Sequence, residues 1–420
     1  MSAEASPVRF AVAGLVAISA LALVIPAWRW TSADRLVDMA PDRALARVPQ
    51  HPGALAKEAA LAFEAGDDLR AEEMAKAAIA SRPLEARPYR ILAAVYERSG
   101  RLPEAHAAQQ AAIAVAPSDA VARLWLASRL LAESRFGESL NHIDRALRAR
   151  PDLADSVFPI LAGGLDNEDF AAALVEALER QPPWRRLFLG HVAANSEQVA
   201  QVRFLFEALA RQGPLTPEEV RLLIARLERD QRWDDLRAAW DETVDPGSGL
   251  GAGLVDGGFE REPHGFGLGW RVSRVPGAII GFTPARGSDD GGRALSLRFF
   301  DQRVPFSHVQ QLLLLSEGNY RLSGEARLDG LRARRGLRWE VSCHGRGEPI
   351  ARSPSLLGTS SWKRWEVEFD VAEGCVAQWL VLGLEAIGPS EQLIGGGIAF
   401  DGLRIERLAV GSTDHTTGSP

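Results

Sequence analysis

The chain has 420 residues, 46% of them hydrophobic and 25% charged, a composition of globular character that excludes wholesale disorder and collagen-like repetition. Its net charge of −7 and its scattered arginines, with Lys57, Lys76 and Lys363 the only lysines, offer no basic stripe for nucleic acid. Two cysteines are too few for a zinc ribbon or a disulfide-dense scaffold.

After a short tail (1–9), residues 10–28 carry no charge and a single serine. As a helix this run is about 28 Å long, close to the ~30 Å hydrocarbon core of a bilayer. Trp28, Arg29 and Trp30 follow as an interfacial belt, so residues 10–30 are expected to form a transmembrane anchor. A cleaved signal peptide is the competing reading. The run exceeds the usual length of a signal-peptide core, and bulky Trp28 follows Ala27 directly, which favours an uncleaved anchor. Arg29, Arg35, Arg43 and Arg47 lie beyond it, and the positive-inside rule taken alone would keep the body cytoplasmic.

From residue 40 to 242 the pattern is helical and periodic. Pro49, Pro83, Pro117 and Pro151 recur every 34 residues; Gly66, Gly100 and Ser134 share the period, as do Ala71, Ala105 and Ser139. Ala78-Ile79, Ala112-Ile113 and Ala146-Leu147 form a further column in phase. Tyr89, Leu92, Ala93 and Tyr96 have the 3–4 spacing of one buried helix face. The columns resemble the tetratricopeptide repeat, whose unit is two antiparallel helices. Gln109 departs from that pattern, standing where the family has a bulky apolar residue, whereas Ile143 restores the column one repeat later. Beyond Pro151 the phase decays. Asn167 still reads as a helix start, Thr216-Pro217-Glu218-Glu219 as a capping box, and residues 231–240 as one more hairpin. About six hairpins are expected. The resemblance implies a groove that holds a protein partner, with Arg87, Arg90 and Glu97 facing it; solvated charges on a helix face are the plainer reading of the same residues.

Residues 243–253 read as a glycine-rich linker, after which the periodicity falls from 3.6 to 2. Alternating runs at 294–299, 320–324, 337–341, 365–369 and 400–405 belong to eight or nine short strands, and residues 254–408 are expected to form an antiparallel β-sandwich. The opening (Val255-Asp256-Gly257-Gly258-Phe259-Glu260, then Gly269-Trp270) and the closing Ala399-Phe400-Asp401-Gly402-Leu403 resemble jelly-roll carbohydrate-binding modules. That resemblance implies a structural calcium ion between Glu260 and Asp401, and sugar binding on exposed aromatic rings. Trp270, Trp339, Trp365, Trp379 and Tyr320 sit in apolar strands or at their edges and read as core. Trp362, among Ser360, Ser361 and Lys363, is the best exposed candidate for a glycan. Residues 409–420 read as a disordered tail.

Glu368-Phe369-Asp370-Val371-Ala372-Glu373 has the spacing of jelly-roll glycosidases, but alternating acids on a solvated strand face have the same spacing. With no histidine pair at metal-ligand spacing, no nucleophile elbow and no phosphate-binding loop, catalysis is not expected. Cys343 ends one alternating run and Cys375 begins another; two neighbouring strand termini can reach disulfide distance. Such a bond implies an oxidising compartment and therefore a body outside the cytoplasm, against the arginine count. The expectation is an inner-membrane, single-pass envelope scaffold with periplasmic domains: transmembrane helix, solenoid of TPR-like hairpins, then jelly roll. Its partners would be a protein in the groove and a glycan or second protein on the sandwich, in polysaccharide synthesis or export. A purely protein-binding assembly factor and a β-sandwich glycoside hydrolase are the alternatives.

Overall fold

The computed structural model describes residues 28–244, 253–289 and 292–408. The expected anchor up to residue 27, the linker over 245–252 and the tail from 409 lie outside the described residues. Among those described, no helix is long and apolar enough to cross a membrane. The chain divides into two compact units, residues 1–188 and 189–420.

In the first unit a short helix α1 (Pro41–Arg47) precedes three hairpins: α2 (Pro52–Glu64) with α3 (Asp68–Ser81), α4 (Ala86–Arg98) with α5 (Leu102–Val115), and α6 (Ala120–Ala132) with α7 (Phe136–Ala149). Pro52, Ala86 and Ala120 begin the first helices, and Asp68, Leu102 and Phe136 the second, so each boundary recurs after 34 residues. The columns are explained by close approach of backbones. Ala71, Ala105 and Ser139 are fully buried, and so are Ala78, Ala112 and Ala146. Ala59, Ala93 and Ala127, also buried, form a further column at the same period, and Ala93 clusters with Ala105. Where serine replaces alanine, its hydroxyl is satisfied: Ser139 Oγ donates to the Ala127 carbonyl at 2.8 Å across the hairpin. Between the paired helices the chain turns through a left-handed residue, Gly66 (φ 81°), Gly100 (φ 72°) and Ser134 (φ 58°). Glycine takes that conformation freely and serine does so under strain. Asp67 and Asp119 cap α3 and α6 by accepting the Arg70 and Ala122 amides. After α8 (Ala154–Gly163) and α9 (Glu168–Glu179), capped by Asn167, the helices become irregular in length.

Helix α10 (Arg185–Asn195) runs across the division between units. The second unit continues with α11 (Val199–Gln212), α12 (Pro217–Arg229) and α13 (Trp233–Thr243), then ten strands. Thr216 and Glu219 form the expected capping box at α12. The strands are β1 (Arg271–Val272), β2 (Ala278–Pro284), β3 (Arg293–Arg303), β4 (Val309–Leu313), β5 (Gly318–Ala333), β6 (Leu337–Cys343), β7 (Pro349–Arg352), β8 (Gly358–Val371), β9 (Gln378–Leu384) and β10 (Leu393–Arg407). They form two five-stranded sheets, β1-β4-β9-β6-β7 and β2-β3-β10-β5-β8, antiparallel throughout. The sandwich core is large and aromatic: Trp339 lies 5.6 Å from Trp270 and 5.4 Å from Phe400, ring to ring. Two buried amides act as surrogate backbone. Gln311 accepts from and donates to Val255, and Gln378 does the same for Leu315.

The outer face of the first sheet is not free. Leu312 alternates away from the core yet is fully buried, and α12 and α13 lie on that side. Arg271 pairs with Glu228 at 2.6 Å, Trp233 packs on His344, and Arg237 donates to the Leu314 carbonyl. Gly267 (φ 56°) makes the approach feasible, since a Cβ there would lie 2.6 Å from the Trp240 ring and 2.8 Å from Ile224. The last helical hairpin is thus built into the same unit as the sandwich.

Candidate functional site

Three regions carry the residues singled out from sequence. On the repeats, Arg87 at the start of α4 is exposed. Arg90 reaches forward to Asp119, the cap of α6, at 3.3 Å, and Glu97 accepts the Trp125 indole N–H at 2.6 Å. Two of the three charges therefore tie one hairpin to the next, a use that requires knowing which residues of the following repeat lie alongside. Between α5, α6 and α7 a small hollow of about 190 Å³ holds His106 and His142. Burial, with Arg123 and Arg145 adding to it, holds the His142 imidazole below the ordinary histidine range.

A larger groove appears where no residue was singled out. Helices α11, α12 and α13 enclose about 550 Å³ over a floor of Phe206, Leu223 and Leu227. Its rim is charged on both sides: Arg203 pairs with Glu207 at 2.8 Å and with Asp235 at 2.6 Å. Small residues, Ala238 and Ala239, keep one wall low. The apolar periodicity of each helix is legible in sequence, but the groove is a product of how three of them pack.

The sandwich corner brings Glu260 and Asp401 together around Gly258, whose Cβ position lies 3.9 Å from an oxygen of each. Asp401 is fully buried; its carboxylate accepts from the Ser288 hydroxyl and from the Gly402 amide at 2.7 Å. Glu260 accepts the Arg293 amide at 2.8 Å, and Asp256 accepts the Glu260 and Arg261 amides at 2.9 and 3.0 Å. Calcium takes six to eight oxygens. Among the described residues no group of three His, Cys, Asp or Glu side chains is arranged to hold a metal. These hydrogen bonds clasp the first and last segments of the sandwich together.

Trp362 is half-buried on the outer face of the second sheet. It packs over Ala285, Ala294 and Ala399, donates its indole N–H to the Arg286 carbonyl at 3.0 Å, and has the Arg327 guanidinium 5.4 Å from its ring centre. Trp270, Trp339, Trp365 and Tyr320 are buried, as their strands suggested, and Trp379 is half-buried beneath Arg271. Glu368 is ion-paired with Arg321 at 2.6 Å on an exposed strand face, and Glu373 stands in the turn after β8. Cys343 and Cys375 are joined by a disulfide, with α-carbons 5.5 Å apart.

No family model and no curated protein matches this chain. Solved structures are similar over parts of it. Pseudomonas aeruginosa PilF is 17% identical, over 47% of this chain and 93% of that one, with a TM-score of 0.27. YrrB, described as a TPR protein with an unusual peptide-binding site, is 13% identical over 50% of this chain and 94% of that one, TM-score 0.28. A CBM4 module is 15% identical over 34% of this chain and 88% of that one, TM-score 0.25. The helical hairpins and the antiparallel β-sandwich rest on the helix periodicity and strand topology given above.

Proposed function

We propose that the chain is a membrane-anchored scaffold of the bacterial cell envelope that holds a protein partner in its helical repeats. The observation that carries this reading is the α11–α13 groove: an apolar floor between charged rims, of the size and chemistry to take a peptide or helix. The repeat architecture and the similarity to TPR structures point the same way. Placing a large side chain in the low wall, as Ala239→Arg, should abolish retention of a partner captured from native membranes while leaving thermal unfolding unchanged. Equal retention by both proteins would remove the groove from the account. The disulfide supports an oxidising compartment, hence an inner-membrane protein whose body is periplasmic, with residues 10–30 as its single span. Alkylation and mass spectrometry on protein from its own membrane should find no free thiol; two free thiols would return the body to the cytoplasm.

A glycan on the sandwich, and through it a role in polysaccharide synthesis or export, is the second part of the proposal. Trp362, half-exposed with its ring edge fixed by Arg286, is the residue that favours it. Binding on a glycan array that is lost in Trp362→Ala would support this part. Binding unaffected by that change, or none at all, leaves a purely protein-binding scaffold.

A further inference from the structure

The two ends of helix α13 are docked on the sandwich by different means. Its carboxy-terminal half is wedged in place: Trp240 is fully buried, with the His264 and Phe266 rings 5.3 and 5.8 Å away and Gly267 packed against it. Its amino-terminal half instead lines a hollow of about 690 Å³, whose far walls include Leu315, Tyr320, Val376 and Arg407. Contacts at the margin of that hollow hold this end. Trp233 meets His344 edge-on, ring centres 5.1 Å apart, and Arg237 donates to the Leu314 carbonyl.

Both of these contacts lead back to the Cys343–Cys375 bond. His344 follows Cys343, and its amide donates at 2.8 Å to the carbonyl of Ala377, in the loop that carries Cys375. Leu314 precedes Leu315, whose amide and carbonyl are both held by the buried Gln378 side chain, at 2.9 and 3.2 Å. The same side chain donates to the Cys375 carbonyl and lies 3.5 Å from the Cys375 sulfur. Cys343 and Gln378 are the last pair of the β6–β9 ladder. A terminal pair is where a ladder frays first, and the disulfide closes this one. The end of α13 that depends on it carries Asp235, which meets Arg203 at 2.6 Å on the rim of the α11–α13 groove.

We propose that the Cys343–Cys375 bond is a redox lock on the amino-terminal half of α13, and through it on the rim of the groove. With the bond closed, Trp233 and Arg237 are seated and Asp235 stays beside Arg203. A dithiol opens the lock by thiol–disulfide exchange: the reagent becomes a disulfide, and the two electrons and two protons it gives up leave Cys343 and Cys375 as thiols. The last β6–β9 pair then frays, His344 and the Leu314–Leu315 segment lose their fixed places, and α13 comes away at its amino-terminal turns. Trp240 keeps the other end docked, and the Glu228–Arg271 pair, 2.6 Å apart, keeps α12 where it is. The consequence for a protein partner rests on the groove reading above; the response of α13 does not, so the two can fail separately.

Amide hydrogen exchange read by mass spectrometry, on the full chain in lipid nanodiscs, follows the helix directly. Dithiothreitol should remove the protection of residues 233–239 and leave β3 and β10 as protected as before, and reoxidation should restore it. Cys343→Ser combined with Cys375→Ser should show the same loss with or without the reagent. Protection of 233–239 that survives reduction, or that is complete in the double variant, overturns the proposal. A bond that dithiothreitol leaves intact in the folded chain overturns it too. So does a loss that spreads through β3 and β10, which would make the bond a support of the whole sandwich and not of the helix. If α13 responds as expected while a partner captured from native membranes is retained equally in both redox states, the lock stands and the groove reading alone falls.

Discussion

The two halves of this chain are held together by opposite means. In the repeats the contacts are between residues close in sequence, and alanine is prominent in the core beside Leu, Val, Ile and Tyr: Ala59, Ala71, Ala93, Ala105 and Ala112 are buried so completely because paired helix backbones nearly touch. In the sandwich the contacts join residues far apart, and the core is rich in Trp, Phe and Leu, with a disulfide from the end of β6 to the loop between β8 and β9. Small residues leave little apolar area to bury per position, so the repeats depend on close fit; large rings bury much area each, so the sandwich depends on a few of them. The difference predicts that the repeats should be hurt by additions and the sandwich by deletions.

The largest effect is expected from Trp339→Ala, which empties the centre of the sandwich and should cost about 3–5 kcal/mol, read as a lower midpoint in denaturant unfolding. A small loss there would mean that the sandwich core does not hinge on its rings. Next, reducing the Cys343–Cys375 bond, whose ends are 32 residues apart, is expected to cost about 3 kcal/mol, seen as a reducing-agent shift in melting temperature. Cys343→Ser with Cys375→Ser should show no such shift. In the repeats the complementary change is Ala105→Trp, an overpacking expected to cost about 1–3 kcal/mol, whereas Ala105→Gly, which only removes a methyl group, should cost about 1 kcal/mol. A tolerated tryptophan would refute the close approach of α4 and α5. The smallest effect has the opposite sign. Ser134 holds the left-handed position that its two counterparts give to glycine, so Ser134→Gly should stabilise by about 0.5 kcal/mol.

The 34-residue spacing was sufficient to place the hairpins, because a repeat stores its tertiary neighbours at a fixed offset along the chain. Its column of Ala71, Ala105 and Ser139 could be read without knowing that Ala93 packs with Ala105 or that Ser139 bonds to Ala127. The same locality could not reveal the contacts of Arg90 and Glu97. They meet Asp119 and Trp125 one hairpin on, and only the docking of successive helices reveals it. In the sandwich, period-2 alternation identified strands β3, β5, β6, β8 and β10 but carried no information on their order, since alternation reports which face is buried and not which strand lies alongside.

What the sequence by itself determined, then, was the kind of each element: helical repeats at 34 and an alternating β region after residue 254, with Cys343 at a strand end; Cys375, expected to begin a strand, lies in the loop before β9. Tertiary structure alone decided the rest. It set α12 and α13 against the first sheet through Gly267, gathered the α11–α13 groove, buried Asp401 beside Glu260, and left β2 as an uncharged edge while arming β8. The physical reason is range. Periodicity and capping are properties of a few consecutive residues, whereas a groove, a buried carboxylate or a sheet edge depends on which distant segment arrives to cover it.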